Sequence, residues 1–418
     1  MKILVTGGPV HAKLDAVKFV TNRFKGGLMA KLTDELRNQD CDVTYLCSKD
    51  ARRVWQDGDW SPADDPKAGP GLVKVVFHDG FHDYRAKVME MAPDFDAVVL
   101  GAAVANLIPV GYWKTEMKDM DSKEWIDTVA QVRKGECPDA YVAMPLEGKF
   151  PSHDYKPGDR FYMDWQIAPR IIDEVKARMK PGAHLFGFKL LSGVPHEELV
   201  TAAYDILLES RATTVFANDA TNLGLCYGVG KDRSSREVLR EWLAEEIVKM
   251  VNDEYYRTEA RPGTVDHTYW LKLKDLAKQY ELNFPESQNG MVFGTIAANL
   301  GSSGFVTTGR GKRELDEIAF VERVDHENRI VYARGGKKAT LNAPLIDRVF
   351  KTVPQARYVV HYHEPMDGLP TLPWAPPGTV RDSIRDVDGS FNIDSHGAFL
   401  VFDDNRKGKR MIVRGEFV

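Results

Sequence analysis

The first thirty residues constrain the fold more than any other stretch of the 418-residue chain. An apolar run at 2–6 ends in Gly7 and Gly8, and Gly26-Gly27 precedes leucines at helical spacing. A strand, a glycine turn and a helix N-terminus in this order place free backbone N–H groups and the positive helix end around one point. Because the spacing is not G-x-G-x-x-G, the stretch predicts either a phosphate or nucleotide site or a plain tight turn.

The elements that follow this opening indicate a parallel sheet. Leu28, Met29 and Leu32 share one helical face and predict a helix over 27–39. Further apolar runs predict strands at 42–46, 73–77 and 97–100. Strands that alternate with helices predict a doubly wound, Rossmann-like α/β sheet. Since ligands bind beyond the carboxyl ends of such strands, the glycine turn and the loop at 101–106 are expected on the binding edge.

Two later stretches break this rhythm. Residues 108–165 are rich in aromatic and charged side chains and show no clear period, so an irregular segment is expected there. Ser234 and Glu237 have the spacing of a capping box, which predicts a long helix that reaches Asn252.

Length and charge limit the organisation of the chain. At 418 residues there is room for two or three domains. The polar stretch 255–266 is predicted to be a linker between a domain over 1–254 and a smaller α/β domain over 267–418. A formal net charge of −5 argues against general nucleic-acid binding, which requires a basic surface.

Cysteine usage and hydropathy indicate a reducing compartment. The four cysteines are scattered and form no C-x-x-C motif. The chain opens without the apolar core of a signal peptide, and no apolar run approaches the length of a membrane span. We therefore expect a cytoplasmic protein without membrane association.

Four motifs, in order, resemble phosphopantothenoylcysteine synthetases. They are Thr6-Gly7-Gly8 with the stretch from Leu14 to Asn22, Ala102-Ala103-Val104-Ala105-Asn106, Phe186-Gly187-Phe188 before a helix, and Ala217-Asn218-Asp219. The resemblance covers about the first 215 residues. It implies a CTP-dependent ligase that activates a carboxylic acid as an acyl-cytidylate, with Mg²⁺ on the phosphates, and joins it to cysteine.

The resemblance also implies the site residues. Asn22 would stabilise the acyl-nucleotide through an amide that adds no charge, and Lys149 would meet the triphosphate. The residues implied in nucleotide binding are Gly7, Gly8, Asp15, Lys25, Gly26, Ala103, Asn106, Phe188, Asn218 and Asp219. The chain departs from the family where Lys25 precedes the glycines instead of following them, and where Asn106 replaces an aspartate. A non-catalytic relative that keeps the pocket is the alternative.

The C-terminal region resembles class II aldolases. The motifs are Gly294-Thr295-Ile296-Ala297-Ala298, Phe305-Val306-Thr307-Thr308-Gly309 and the H-x-H of His361 and His363, with His396 as a later histidine. The three histidines are expected to bind Zn²⁺ with an open position, because residues two apart on a strand share a face.

The position of the family's proton-transfer glutamate is Asn342, and an amide does not act as a general acid or base near neutral pH. The alternatives to a ligase are therefore a metal-dependent aldolase or epimerase acting on a sugar phosphate, and a non-catalytic binding or assembly protein. The expected partners are small-molecule substrates. Both families imply a homo-oligomer.

Overall fold

The computed structural model describes residues 1–52, 72–115, 123–136, 141–279, 290–404 and 410–417. Elements are numbered in chain order. Those up to residue 191 are β1 Lys2–Gly7, β2 Pro9–Val10, β3 Ala12–Lys13, β4 Phe19–Val20, α1 Gly27–Asn38, β5 Asp42–Ser48, β6 Val73–His78, α2 Phe81–Met91, β7 Ala97–Leu100, β8 Ala103–Val104, β9 Leu107–Thr115, α3 Lys123–Arg133, β10 Val142–Ala143, β11 Arg160–Ile167, α4 Ile171–Val175 and β12 His184–Leu191.

The later elements follow the same numbering. They are α5 His196–Ser210, β13 Thr214–Asp219, β14 Asn222–Val229, β15 Ser235–Leu239, α6 Leu243–Asn252, β16 Arg257–Arg261, α7 Thr268–Gln279, β17 Thr295–Asn299, β18 Phe305–Thr308, β19 Ile318–Asp325, β20 Ile330–Arg334, α8 Ala343–Thr352, β21 Tyr358–Tyr362, β22 Thr371–Leu372, α9 Val380–Ser383, β23 Phe391–Ile393, β24 Gly397–Phe402, β25 Ile412–Val413 and β26 Glu416–Phe417.

These elements form two compact units whose segments alternate along the chain. The first unit comprises Met1–Phe188, Leu208–Thr213 and Arg240–Glu245. The second comprises Lys189–Leu207, Thr214–Leu239 and Glu246–Val418. The domain boundaries expected from the sequence, 1–254 and 267–418, stay a prediction.

The first unit is built on parallel strands in the order β12-β7-β1-β5-β6. The chain moves outward from β1 through β5 to β6 and then returns to the other side of β1 with β7. This is a doubly wound sheet, as the sequence predicted, and its order reverses between β1 and β7. Ligands in such sheets bind outside the carboxyl ends of the strands at this switch point.

The core beside β1 explains why this strand sits at the centre. Its residues Ile3, Leu4 and Val5 are fully buried, and α1 buries Met29, Leu32 and Leu36 on the face that their spacing predicted. A strand buried on both faces reads as a continuous apolar run.

The prediction of an irregular segment at 108–165 is wrong. Strands β9, β10 and β11 form an antiparallel sheet, with Val142 opposite Tyr112 and Phe161 opposite Lys114. Rings cover both faces of β9. Tyr112 packs on Phe150 and Phe161, whereas the next residue, Trp113, packs on Trp125 and Tyr162. Because both faces carry large side chains, the alternation that identifies a strand is missing from the sequence.

The second unit contains a nine-stranded sheet in the order β16-β20-β19-β18-β17-β21-β24-β23-β22. Neighbouring strands are antiparallel, except for the parallel pairs β16–β20 and β22–β23. Buried residues of α8, such as Leu345 and Ile346, join one core cluster, and Leu273 and Leu276 of α7 join another. The same unit contains the antiparallel strands β13, β14 and β15.

One sequence prediction is wrong in this unit. The segment from Ser235 to Leu239 is strand β15, paired with β14, and the helix expected from Ser234 begins only at Leu243. Strand pairing, with Val238 buried, overrides the local capping signal. The expected linker contains β16, which pairs with β20 through backbone bonds that its polar side chains did not reveal.

Among the residues described, no helix combines the length and the apolar character needed to cross a membrane. The described cysteines Cys41, Cys47 and Cys226 are buried and are not in disulfides. Cys137 lies outside the described residues.

Gly26→Ala tests the packing of the glycine turn. Gly26 has φ 78°, and a Cβ there would lie 2.3 Å from the backbone nitrogen of Gly8. We expect the free energy of unfolding to fall by at least about 2 kcal/mol, because a left-handed alanine is strained and Gly8 must also move. Urea denaturation measures the change.

Gly135→Ala is the matched control. Gly135 has φ 76°, and a Cβ added there would meet no heavy atom within 4 Å, so its substitution carries the backbone cost alone. Equal losses of stability in the two variants would contradict the close approach of Gly26 to Gly8.

Candidate functional site

The turn after β1 is packed so closely that only glycine fits. A Cβ at Gly7 would lie 2.5 Å from the hydroxyl of Tyr45. Gly8 has φ 77°, and a Cβ there would lie 2.3 Å from the Cβ of Ala51. Gly26 precedes α1 and supplies no side-chain cap, while Ala30 is bonded to the carbonyl oxygen of Gly26. The first backbone N–H groups of α1 therefore lack partners within the helix and face the side of the glycine turn.

The loop at 101–106 joins this turn by backbone bonds. The N–H of Ala103 donates to the carbonyl oxygen of Gly8 at 2.9 Å, and β8 runs parallel to β2. The side-chain amide nitrogen of Asn22 donates to the carbonyl oxygen of Val104 at 3.0 Å. The structure thus brings together Gly8, Asn22 and Ala103. Asn106, at the end of the loop, is exposed.

Asp15 organises a neighbouring loop. Its buried carboxylate accepts bonds from the N–H groups of Val17, Lys18 and Phe150, at 2.7, 2.6 and 2.9 Å, and from the Lys18 ammonium. Burial raises the pKa of Asp15, but the bonds from Lys18, Phe150 and Val17 outweigh it and hold this pKa well below its usual range. Asp15 therefore has a structural role whether or not it also meets a ligand.

The bond from Phe150 fixes the position of Lys149. The N–H of Leu146 donates to Leu14, and the N–H of Ala16 donates to Gly148, so that the backbone of 146–150 runs beside 14–16. Lys149 itself is exposed at the end of this pairing. Its cationic group is free to extend from a defined backbone position.

A cavity of about 470 Å³ opens beside this loop. Its lining includes Asp15, His11, Lys13, His78 and Asp79, but none of the predicted glycines. Lys13 forms an ion pair with Asp79, and burial lowers the pKa of His78 to about 4. Of the predicted site residues, Asp15 is the one that lines this cavity.

The remaining predicted residues are more dispersed. Lys25 is exposed, and its carbonyl oxygen accepts a bond from the N–H of Arg52. Half-buried Phe188 follows Gly187, which is paired with Leu100 at the end of β7.

Asn218 and Asp219 end β13 in the second unit. The amide of Asn218 is buried and donates to the carbonyl oxygen of Phe216. Asp219 accepts bonds from Thr221 and Gly193, which lower its pKa.

The second unit gathers the three predicted histidines. His361 lies in β21, His363 follows the last residue of that strand, and His396 precedes β24, which pairs with β21. One ligand atom from each histidine lies within 4.8 Å of the other two. This is a separation at which three side chains can share one metal ion.

The hydrogen bonds of His361 leave the correct nitrogen for a metal. Its Nδ1 lies 3.0 Å from the carbonyl oxygen of Ala398. A carbonyl only accepts, so Nδ1 carries the hydrogen and Nε2 holds a lone pair. This Nε2 is buried without a partner, and burial lowers the pKa of His361 well below its usual value. The neutral imidazole is the form that binds metal.

Comparison with known proteins gives a family match in the N-terminal part of the chain. Residues 1–132 match the DFP family model, the DNA/pantothenate metabolism flavoprotein C-terminal domain. The N-terminal part of the chain is similar to this domain and is called the DFP-type domain below. The bifunctional coenzyme A biosynthesis protein CoaBC of Thermococcus kodakarensis is 22% identical over 263 residues. The alignment covers 60% of this chain and 51% of the relative, so the chain spans about half the length of that protein.

Solved structures provide matches for both parts. The DNA/pantothenate metabolism flavoprotein from Streptococcus pneumoniae is 22% identical, covers 60% of this chain and 97% of its own, and has a TM-score of 0.44. YgbL from Escherichia coli, named for candidate aldolase, epimerase or decarboxylase activity, is 15% identical and covers 32% of this chain and 78% of its own, with a TM-score of 0.24. The resemblance predicted for the N-terminal part of the chain is confirmed by the family match and by the curated relative.

Asp232 is a candidate functional residue that the sequence did not reveal. Its Oδ2 lies 2.5 Å from Nε2 of His396. Burial raises the pKa of Asp232, but the charge of nearby His396 holds it well below the usual range. Asp232 belongs to no motif and lies far from the histidines in sequence, so only the fold brings it to them.

Asp15→Asn tests the loop beside the DFP-type glycine turn. The amide loses the charge and one acceptor oxygen, so we expect a lower melting temperature at neutral pH. Because the folded-state pKa is depressed, the carboxylate's contribution is present above its unfolded pKa of about 4 and is lost as the pH falls below that value.

The difference in melting temperature between wild type and Asp15→Asn should therefore shrink on acidification from pH 7 to below about pH 4. Thermal unfolding followed by circular dichroism measures it. Asp94→Asn, at an exposed position in the same unit, is the control. A difference that is constant with pH would contradict the assigned role of the charge.

Proposed function

We propose that the DFP-type domain activates a carboxylic acid with a nucleotide, CTP by resemblance, and joins it to an amine such as cysteine. One observation carries the proposal. The amide of Asn22 bonds to Val104 on the loop that also pairs with Gly8. The side chain proposed to hold the intermediate and the turn proposed to hold the nucleotide therefore belong to one bonded arrangement. The similarity to CoaBC supports the same class of reaction.

The proposed reaction has two steps. A carboxylate oxygen attacks the α-phosphorus of the nucleotide, the bond to the β-phosphate breaks, and pyrophosphate leaves. The amine then attacks the acyl carbon, the nucleoside monophosphate leaves with the bonding electrons, and the amine gives up a proton. Both steps spread negative charge over phosphate oxygens, so positioned N–H groups and cations lower their barriers.

The chain offers these groups at the switch point. The free N–H groups that begin α1 lie beside the turn at Gly7 and Gly8 and would supply donors to a phosphate. Lys149 would extend from its paired backbone to the phosphates. Asn22 uses its amide nitrogen on Val104, and its amide oxygen has no partner among the described residues. This oxygen would accept from the intermediate or from the incoming amine.

Magnesium is expected with the nucleotide, where it would neutralise charge on the phosphates. Among the described residues, the only group of three or more potential ligand side chains is the histidine group of the second unit. The phosphates would therefore supply most of the ligands of a magnesium ion in the DFP-type domain.

Pyrophosphate release is the test of this function. With Mg²⁺, a nucleotide and a panel of carboxylic acids, we expect acid-dependent release of pyrophosphate, with CTP giving the largest rate. Asn22→Ala should reduce this release by at least about a hundredfold, the effect of losing one positioned polar group at a charged transition state. It should change the affinity for the nucleotide little, because its proposed partner is the intermediate.

Asn38→Ala is the matched control, since Asn38 lies at the end of α1, away from the turn. Isothermal titration with CTP and with ATP, carried out on all three proteins, separates binding from chemistry. Neither release nor binding with any nucleotide would refute the ligase.

A second candidate function, metal binding, is favoured by the unpartnered Nε2 of His361 beside His363 and His396. Three imidazole nitrogens are a donor set that suits Zn²⁺. His363 is half-buried, which leaves access to the group from one side. Bound zinc would supply a Lewis acid for aldolase or epimerase chemistry on a sugar phosphate, or it would stabilise the fold.

His361→Ala tests this site. The wild-type protein is expected to retain about one zinc ion per chain, measured by atomic emission after gel filtration, and His361→Ala is expected to lose it. His326→Ala is the control, because His326 belongs to the same unit but bonds to Asp347 and Tyr256. Zinc content unaffected by His361→Ala would exclude the site.

A further inference from the structure

The turn between β14 and β15 holds Asp232 in a fixed orientation. The N–H of Gly230 donates to the carbonyl oxygen of Ser234 at 2.9 Å, and the N–H of Arg233 donates to that of Gly230 at 3.0 Å. The hydroxyl of Ser234 donates to Oδ1 of Asp232 at 2.7 Å. One carboxylate oxygen is therefore bonded within the turn, and the other is directed at the histidines.

The directed oxygen forms an ion pair with His396. Oδ2 of Asp232 and Nε2 of His396 are buried and lie 2.5 Å apart, a separation at which one proton joins them. Nε2 of His361 is also buried, and it has no partner. His361 and His396 are 1% and 2% exposed, so bulk water does not satisfy these atoms. Among the described residues, the three histidines form the group whose ligand atoms all lie within 4.8 Å of one another, and Asp232 adjoins that group through His396. The unpartnered Nε2 of His361 beside this buried pair requires a donor or a cation.

A proton satisfies this arrangement only in part. Protonation of His396 would pair it with Asp232, but it would leave Nε2 of His361 without a donor and place a positive charge beside it. The rings of His361 and His396 are 4.6 Å apart. A divalent metal ion that displaces this proton and draws Asp232 toward the three histidines would accept all of these lone pairs, and the carboxylate would reduce the charge that three imidazoles leave uncompensated.

We propose that Asp232 is the fourth protein ligand of a metal ion, Zn²⁺ by its donor set, that His361, His363 and His396 also bind. The proposal rests on the metal-binding role given above. Four protein ligands close a tetrahedral site, whereas a catalytic zinc keeps one position open. The metal would then join the β14–β15 turn to strands β21 and β24 and act as a structural link.

In this proposal the acidic ligand, Asp232, lies outside the motifs that resemble class II aldolases. Asn342 occupies the position at which the resemblance places a glutamate, and it lies buried at the start of α8. The acidic group instead comes from a turn anchored by Arg233, which bonds to Thr201 and Glu197 of α5. A ligand that the rest of the turn holds in place loses little freedom when metal binds.

Cobalt spectroscopy of the full chain tests the closed site directly. The protein is stripped with a chelator and reloaded with Co²⁺, whose visible absorption is intense in four-coordinate sites. We expect a four-coordinate spectrum that azide does not change, because no position is open. In Asp232→Asn, we expect azide to bind and to alter the spectrum. A wild-type spectrum that shifts with azide would overturn the closed site without need of any variant.

Zinc affinity provides the second readout. Competition with a chromophoric chelator should show Asp232→Asn binding at least about tenfold more weakly than wild type, with Asp232→Glu recovering part of the loss. Asp367→Asn, at an exposed position of the same unit, is the control. Chelation should lower the melting temperature of wild type more than that of Asp232→Asn.

The outcomes separate the two proposals. A wild-type protein that takes up neither zinc nor cobalt overturns the metal site and the role of Asp232 together. Metal uptake with equal affinity and equal spectra in wild type and Asp232→Asn overturns the role of Asp232 alone. A weaker affinity with an unchanged cobalt spectrum shows that Asp232 only positions His396, which also overturns its role as a ligand.

Discussion

The first unit depends on the close approach of two backbone segments, the turn after β1 and the residue before α1. A Cβ added at Gly26 would lie only 2.3 Å from the backbone nitrogen of Gly8, so only glycine at position 26 allows the two segments to meet. That contact sets where α1 begins, and hence where its free N–H groups lie relative to the switch point between β1 and β7. The loop that carries Ala103 is bonded to the same turn. Backbone geometry, more than any side chain, therefore shapes the proposed nucleotide site.

The sequence predicted the parts of this fold in which local pattern and tertiary environment agree. The apolar run of β1 and the leucine face of α1 are buried as expected. The sheet around Tyr112 and Trp113 was not predicted, because aromatic rings cover both of its faces and the strands lack the alternation of apolar and polar residues. Strand β15 was not predicted, because its pairing with β14 outweighs the helix-capping signal of Ser234. In both places the deciding interaction is non-local, which the pattern of neighbouring residues does not encode.

The same distinction applies to the sites. Motif order indicated Asn22 and the three histidines, and the structure brings each to a defined partner: Val104 for the asparagine and the shared group for the histidines. Asp232 follows no motif, because its relation to His396 arises when a turn closes onto a distant strand. The carboxylate of Asp15 was expected near a nucleotide, but its bonds to the backbone identify a structural role that its sequence position did not indicate.

The aromatic sheet of the first unit makes the chain suited to optical measurement. Three of its eight tryptophans, Trp113, Trp125 and Trp165, belong to the segment that runs from β9 to β11. The rings of Trp113 and Trp125 are 6.2 Å apart, and Tyr112 on the same strand packs near Phe150, the residue that follows Lys149. Intrinsic tryptophan emission therefore includes a contribution from this segment. Since Phe150 follows Lys149 and contacts the ring of Tyr112, intrinsic fluorescence is a direct way to look for changes around Lys149.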